Sequence, residues 1–268
     1  MQDVLKYLKW KITERGARII GCDEEFEGAM EIPSCLDGAA VVEIGKDAFL
    51  ERRSLRSVAI PDSVEVVGKY ALAFCHWLEE LHLGAGIKKI GKGAFWGCRL
   101  LKRVAVPDSV ENVGVLAFFA CYELEELHLG AGIKKIEYGA FDSCRSLKSV
   151  AIPDSVEIVG EGAFGGCGRL QELHLRAGIK KIEKYAFMGC SSLKSVVIPD
   201  SVEVVGECAF AGCDGLEELH LGAGIKRIEE GAFRDCSSLR RVVLPSPLEA
   251  FARDAFVESV VLVVDNER

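Results

Sequence analysis

The sequence predicts a solenoid of ten 23-residue coils, made of short parallel strands with little helix and stacked around one continuous core. Three observations predict it. Alanine recurs at 48, 71, 94, 117, 140, 163, 186, 209, 232 and 255, every step being 23 residues, and Phe follows it in nine of the ten copies, Leu72 being the exception. Cysteine returns with the same step at 75, 98, 121, 144, 167, 190, 213 and 236, and leucine at 55, 78, 101, 124, 147, 170, 193, 216 and 239. Within a copy, Leu78-Glu79-Glu80-Leu81-His82-Leu83 alternates with the period of a half-buried strand. One such coil cannot bury both of its sides, whereas stacked coils can, through ladders of Leu, Ile, Phe and Cys. At about 4.8 Å per parallel strand step, ten coils span roughly 50 Å.

The elements follow in order. Residues 1–40 read as an N-terminal cap, 41–247 as the repeats and 248–268 as a C-terminal cap, all in one continuous domain. In each coil Pro or Gly ends the alternating strand (Pro61, Gly84, Pro107, Gly130, Pro153), because neither extends a ladder comfortably. A second short apolar segment such as Ile87-Lys88-Lys89-Ile90 follows, punctuated by Gly91, and the Ala-Phe-x-x-Cys turn brings the chain back. Val260-Val261-Leu262-Val263-Val264 reads as the strand that closes the last coil, and Asp265-Asn266-Glu267-Arg268 gives it a polar finish.

Even and odd coils differ, so the full unit has 46 residues. Val/Ile-Pro-Asp-Ser-Val begins at 60, 106, 152 and 198, and Leu-His-Leu-x-Ala-Gly-Ile-Lys at 81, 127, 173 and 219. One position read across coils gives Glu65, Lys88, Glu111, Lys134, Glu157, Lys180, Glu203, Lys226 and Glu249. A second gives Arg56, Glu79, Lys102, Glu125, Lys148, Gln171, Lys194, Glu217 and Arg240. Stacking would set these side chains about 5 Å apart, so alternation makes opposite charges neighbours. Each exposed pair is worth only about 0–1 kcal/mol, but together they could specify which coil sits beside which.

Leu-x-x-Leu-x-Leu is intact at 78–83, 124–129, 170–175 and 216–221. The string from Leu147 through Ile152-Pro153-Asp154-Ser155-Val156, Gly160 and Ala163-Phe164 to Cys167 resembles the bacterial BspA-like leucine-rich repeats, over about residues 32–257. The opening Trp10-Lys11-Ile12-Thr13, Glu31-Ile32-Pro33 and Asp37-Gly38 is similar to the start of that family. The resemblance implies a right-handed leucine-rich-repeat solenoid of the α/β horseshoe class. It also implies a secreted or surface protein used for adhesion and protein binding.

Composition narrows the function classes. The chain has 268 residues, 49% apolar and 28% charged, with a net charge of −8, which excludes wholesale disorder and a generic phosphate-backbone binder of nucleic acid. No apolar run approaches the roughly 18 residues that cross a bilayer, so no membrane insertion is expected. The first eleven residues carry charges every few positions, unlike a secretory signal. Reduced cysteines would point to the cytoplasm and the family resemblance to the surface, so the compartment stays open.

Motifs for catalysis, metal or cofactor are weak. Glu80 and His82, Glu126 and His128, Glu172 and His174, and Glu218 and His220 share the outward strand face, but successive histidines lie two coils, roughly 9–10 Å, apart. Imidazoles sharing a zinc must each come within about 2.1 Å of it, so these read as surface residues first and as glycan, metal or pH-sensitive sites second. The eight ladder cysteines would stack with Cβ atoms about 4.8 Å apart, too far for the disulfide geometry, and read as buried free thiols. Cys22 and Cys35 are the pair best able to bridge. Gly86-Ile87-Lys88-Lys89-Ile90-Gly91-Lys92-Gly93 misses a phosphate loop, lacking Ser or Thr at 93. No unique Ser–His–Asp set exists, so no enzyme and no cofactor are expected.

The informative positions are those where copies disagree. Most coils carry small or polar residues after Ala-Phe, such as Gly165, Gly166, Ser191 and Ser192, whereas coils near the N-terminal end carry Phe74, His76, Trp77, Trp96, Phe119 and Tyr122. Surface aromatics are enriched at binding hot spots. They make a candidate partner-binding flank, or else pack against the N-terminal cap or a second copy of the chain. The leading expectation is therefore non-enzymatic binding of a protein of unknown identity, adhesin-like, or of a glycan, with structural self-assembly as the alternative.

Overall fold

The computed structural model describes residues 4–245, 255–256 and 261–265. It is a solenoid of about ten coils, with a single 3-10 turn at Val4–Lys6 as the helical element among the described residues. The short second segment of each coil builds the longer sheet. Leu8–Thr13 and Gly16–Cys22 pair antiparallel, and Ala39–Ile44, Val66–Val67, Lys89–Ile90 and their successors continue in parallel to Arg227–Ile228. The Leu-x-x-Leu-x-Leu strands form the opposite side in three shorter sheets. A third side is made of turns, closed by backbone bonds between coils such as Leu72 N–H to Ala94 O (2.7 Å) and Phe164 N–H to Ala186 O (2.7 Å).

The sheets break between Glu80–His82 and Arg103–Val106 and between Glu172–Leu175 and Ser195–Val197, both boundaries of the 46-residue unit, although Glu218–His220 pairs fully with Arg241–Pro245. Arg103–Val106 pairs along its whole length with Glu126–Leu129, whereas Glu126 with Ser149 is the one register pair joining that strand to the next. Backbone bonds agree: Glu125 N–H reaches Lys102 O at 2.9 Å and Gln171 N–H reaches Lys148 O at 2.8 Å, but Lys148 N–H to Glu125 O is 3.4 Å.

Within each pair the coils interlock in a way that the charge pattern did not foretell. The Pro-Asp-Ser loop of one coil faces the Ala-Gly loop of the next (Gly-Ala-Gly in three copies, Arg176-Ala177-Gly178 in the third), and the Asp carboxylate accepts the Ala N–H: Ala85 to Asp62 at 2.7 Å, Ala131 to Asp108 at 2.7 Å, Ala177 to Asp154 at 3.2 Å and Ala223 to Asp200 at 2.8 Å. The glycine after that Ala sits against the same Asp's own carbonyl; a Cβ on Gly178 would lie 1.7 Å from Asp154 O. Only a residue without a side chain allows this approach.

Inside, the repeated phenylalanines stack. Phe95, Phe118, Phe141, Phe164, Phe187, Phe210, Phe233 and Phe256 have successive centroids 4.9–5.4 Å apart and planes within 15°. Leu72 interrupts the column beyond Phe95.

The eight ladder thiols are free and buried, and they do more than fill space. Each donates to the carbonyl 26 residues earlier, from Cys75 Sγ to Phe49 O (3.1 Å) through Cys144 Sγ to Phe118 O (3.4 Å) to Cys236 Sγ to Phe210 O (3.2 Å). Burial pushes the Cys75, Cys121 and Cys190 thiols up to about 12, which keeps the donating proton in place. Cys22 and Cys35 do not bridge: both are free, Cys22 buried with its thiol on Asp23 O at 3.5 Å, Cys35 exposed in Cys35–Leu36. In the native protein under alkaline thiol titration, Cys35 is expected to react fast and Cys208, 8% exposed, slowly. The other nine of the eleven should react only after unfolding. Rapid native labelling of a ladder cysteine would contradict the buried, hydrogen-bonded placement.

The charge columns form pairs rather than a continuous ladder. Lys88 meets Glu65 (2.9 Å), Lys180 meets Glu157 (3.4 Å) and Lys226 meets Glu203 (3.0 Å), each reaching back one coil, while Lys134 makes no ion pair among the described residues. In the second column Arg56 meets Glu79 (3.1 Å), Lys148 meets Glu125 (2.5 Å) and Lys194 meets Glu217 (3.3 Å). The hydrogen bonds from Lys88 and Lys148 hold the Glu65 and Glu125 carboxyls below their usual range. Their contribution is therefore present above the ordinary carboxylate pKa and lost as pH falls through the depressed value. Lys180→Glu is expected to cost about 0.5–1 kcal/mol at low salt and less at high salt, and Lys134→Glu less than that. Equal melting temperatures for Lys180→Glu and the parent would remove any stacking role for the pair.

At the C-terminal end Val261–Asp265 pairs in parallel with Arg241–Pro245, Arg241 opposite Val261, an offset of 20 residues. The last coil is thus shorter than the others. Val260, Glu249, Pro247 and residues 266–268 lie outside the described residues.

Candidate functional site

The N-terminal aromatic residues all lie on or beside the turn side, and the structure sorts them into one cluster and two arginine-flanked rings. Trp96 and Phe119 are one coil apart and meet edge to face at 5.3 Å. Phe74 joins from the other side, 5.6 Å from Trp96, and carries His76 at 6.0 Å. His76 Nδ1–H donates to Gly97 O at 2.9 Å, which ties the imidazole to the next coil. All four rings are half-buried.

Two glycines make room for this cluster. A Cβ on Gly97 would meet the Phe74 ring at 2.9 Å, and one on Gly93 would meet the Tyr70 ring at 2.3 Å. Tyr70, 6.1 Å from Trp96, extends the cluster and was missed in the sequence. Its signal was present: Gly93 stands at the next copy of its position. Tyr70 and Phe74 both hold positive φ (54° and 60°), where bulky side chains are uncommon, at two positions glycine fills in many coils.

Trp77 and Tyr122 stand apart from the cluster. The Arg56 guanidinium lies 4.6 Å from the Trp77 ring, leaving the residue 47% exposed, and Arg56 also pairs with Glu79. Tyr122 sits between Arg99 (5.7 Å) and Arg145 (4.8 Å), the residues one coil before and after it. Cations over aromatic faces contribute about 0.5–1 kcal/mol at exposed sites and hold the rings in place.

The strand-face candidates are spread along the opposite side. Register sets His82 beside Ala59, His128 beside Ala105, His174 beside Ala151 and His220 beside Val197, so no two histidines are neighbours. Two of the four Glu–His pairs close, His174 with Glu172 at 3.8 Å and His220 with Glu218 at 3.3 Å. Glu126 is drawn to Arg103 (3.2 Å) instead, Glu218 also takes Arg241 (2.7 Å), and Glu80 and His82 are exposed on their strand. Among the described residues no three His, Cys, Asp or Glu side chains gather to hold a metal ion. Nor, among those residues, is any helix long and apolar enough to cross a membrane.

The repeat geometry has a counterpart among known families: the profile of the BspA type Leucine rich repeat region matches in six copies over residues 42–170 and 157–263. The chain belongs to this family. BspA-type repeats are typical of protein-interaction and surface proteins and are generally non-enzymatic. Among solved structures, a leucine rich cell surface protein from Faecalibacterium prausnitzii superposes with a TM-score of 0.56 at 22% identity, covering 96% of this chain and 92% of that one. The leucine rich repeat protein of T. pallidum gives 0.51 at 26% identity, covering 87% and 88%. No curated protein matches the chain.

Proposed function

We propose that this BspA-type repeat protein is a non-enzymatic interaction module that binds a protein partner through the aromatic flank of its N-terminal coils. The observation that carries this reading is the run Phe74–Trp96–Phe119, half-exposed on coils whose later copies bear no aromatic residue at these places, with Asp142, Gly165, Met188, Ala211 and Arg234 following Phe119. Large rings held at positive φ and by cation contacts are already ordered before a partner arrives, which lowers the entropy lost on binding. Arg56, Arg99 and Arg145 supply the polar rim that such hot spots carry. The strand face, with Val197 59% exposed between His174 and His220, supports a second reading as a glycan or protein surface. The aromatic cluster also suits self-association.

Quantitative affinity capture on the immobilised chain tests the reading, together with light scattering of the free protein. Trp77→Ala is expected to weaken capture by about 1–3 kcal/mol with an unchanged melting temperature, since Trp77 covers no core. Trp96→Ala should weaken capture similarly and also lower stability modestly, because its ring packs on Phe74 and Phe119. Binding lost instead at His174→Ala and His220→Ala, with Trp77→Ala neutral, would move the site to the strand face. A concentration-dependent dimer abolished by Trp77→Ala would favour self-assembly.

A further inference from the structure

Three even coils carry an internal carboxylate at the same place on the long sheet. Lys135 pairs with Glu137 at 2.9 Å, Lys181 with Glu183 at 3.0 Å and Arg227 with Glu229 at 2.9 Å, always two residues along the chain. Two of these carboxylates also accept a backbone N–H from the preceding coil: Glu183 from Glu161 at 3.2 Å and Glu229 from Glu207 at 3.1 Å.

In the coil of Lys89 the corresponding residue is Gly91, and the donors remain without the acceptor. The Lys89 ammonium is exposed and has no ion pair or hydrogen bond among the described residues. The backbone nitrogen of Lys69, counterpart of Glu161 and Glu207, lies 2.9 Å from where a Gly91 Cβ would stand. Lys92, one coil beyond the Lys69 side chain on the same column, adds a second ammonium without an ion pair among the described residues. Lys88, Lys89, Gly91, Lys92, Glu111 and Asn112 line a groove of about 700 Å³ at this place. Lys88 is already paired with Glu65, and Glu137, also on the groove wall, with Lys135, so Glu111 is the one acid there without an ion pair among the described residues. Lys92 precedes Gly93, whose Tyr70 cover leads directly to Trp96.

We propose that this groove is an anion subsite for a carboxylate side chain on an acidic segment of a protein partner. Lys89, Lys92 and the Lys69 N–H would hold it where Glu183 and Glu229 sit in the sister coils. The proposal rests on the interaction reading above only in taking the occupant to be a protein.

The test uses the full chain and an acetylated hexaglutamate peptide, titrated calorimetrically at low salt, where exposed charges are least screened. Saturable binding is expected, weakened at least about tenfold by Lys89→Ala combined with Lys92→Ala. Lys89→Glu should abolish it with the fold retained, since it sets an acid at an exposed position facing the groove. Lys180→Ala with Lys181→Ala, on a coil whose acid is present, should leave the affinity unchanged, and so should Trp77→Ala, which separates this subsite from the aromatic flank. The proposal is overturned if the parent shows no saturable binding, or if the Lys180 and Lys181 variant loses affinity equally. Tighter binding to phosphatidylserine vesicles than to the peptide, lost in the same variants, would overturn the choice of occupant.

Discussion

Phe164→Ala is expected to lower the free energy of unfolding by about 3–5 kcal/mol in urea titration. The ring is fully buried and stacks on Phe141 at 5.2 Å and on Phe187 at 5.4 Å, so its removal opens a cavity and breaks the column on both sides. Coils contact only their neighbours, so there is no distant packing to compensate, and the transition should broaden as the two halves uncouple. A loss below about 1 kcal/mol would show that the column closes around the gap and that the stack is not a main source of stability.

Gly178→Ala should cost about 2–3 kcal/mol or more although it adds a single methyl group. That methyl would stand 1.7 Å from Asp154 O, and backbone, unlike a side-chain end, cannot swing aside. The coils must separate, which also strains the bond from Ala177 N–H to Asp154. Gly168→Ala is the matched control, because its nearest neighbour would be the Ser191 hydroxyl at an ordinary 3.6 Å, and it should change stability by less than about 0.5 kcal/mol. Similar melting temperatures for the two variants would mean that the Pro-Asp-Ser and Ala-Gly loops do not lock coils in pairs.

Some of the site was legible before the fold was known. Phe74, His76, Trp77, Trp96, Phe119 and Tyr122 stood out because they break a repeat, and a broken repeat is visible in one dimension. Their division into a cluster of Phe74, His76, Trp96 and Phe119, apart from Trp77 and Tyr122, was not visible. It depends on the positive φ at Phe74 and on arginines one coil away. Tyr70 joins the cluster because its ring covers Gly93 in the next coil, a contact that the linear order does not show. Gly91 likewise became informative only when Lys135, Lys181 and Arg227 were found to pair two residues along their strands.

The sequence by itself determined the period, the coil count, the buried ladder and the kinship of the repeats. Residues that recur every 23 positions must occupy equivalent environments, so Ala, Phe, Cys and Leu could be assigned to the core without coordinates. Only the tertiary structure decided how adjacent coils touch. A thiol bonds to the carbonyl 26 residues earlier, an aspartate reaches the N–H 23 residues later, and a glycine exists to let a backbone approach. Those offsets are set by the path of the chain between ladder positions, which periodicity leaves free. The same backbone path makes alternation of loops, more than alternation of charge, the reason that the coils come in pairs.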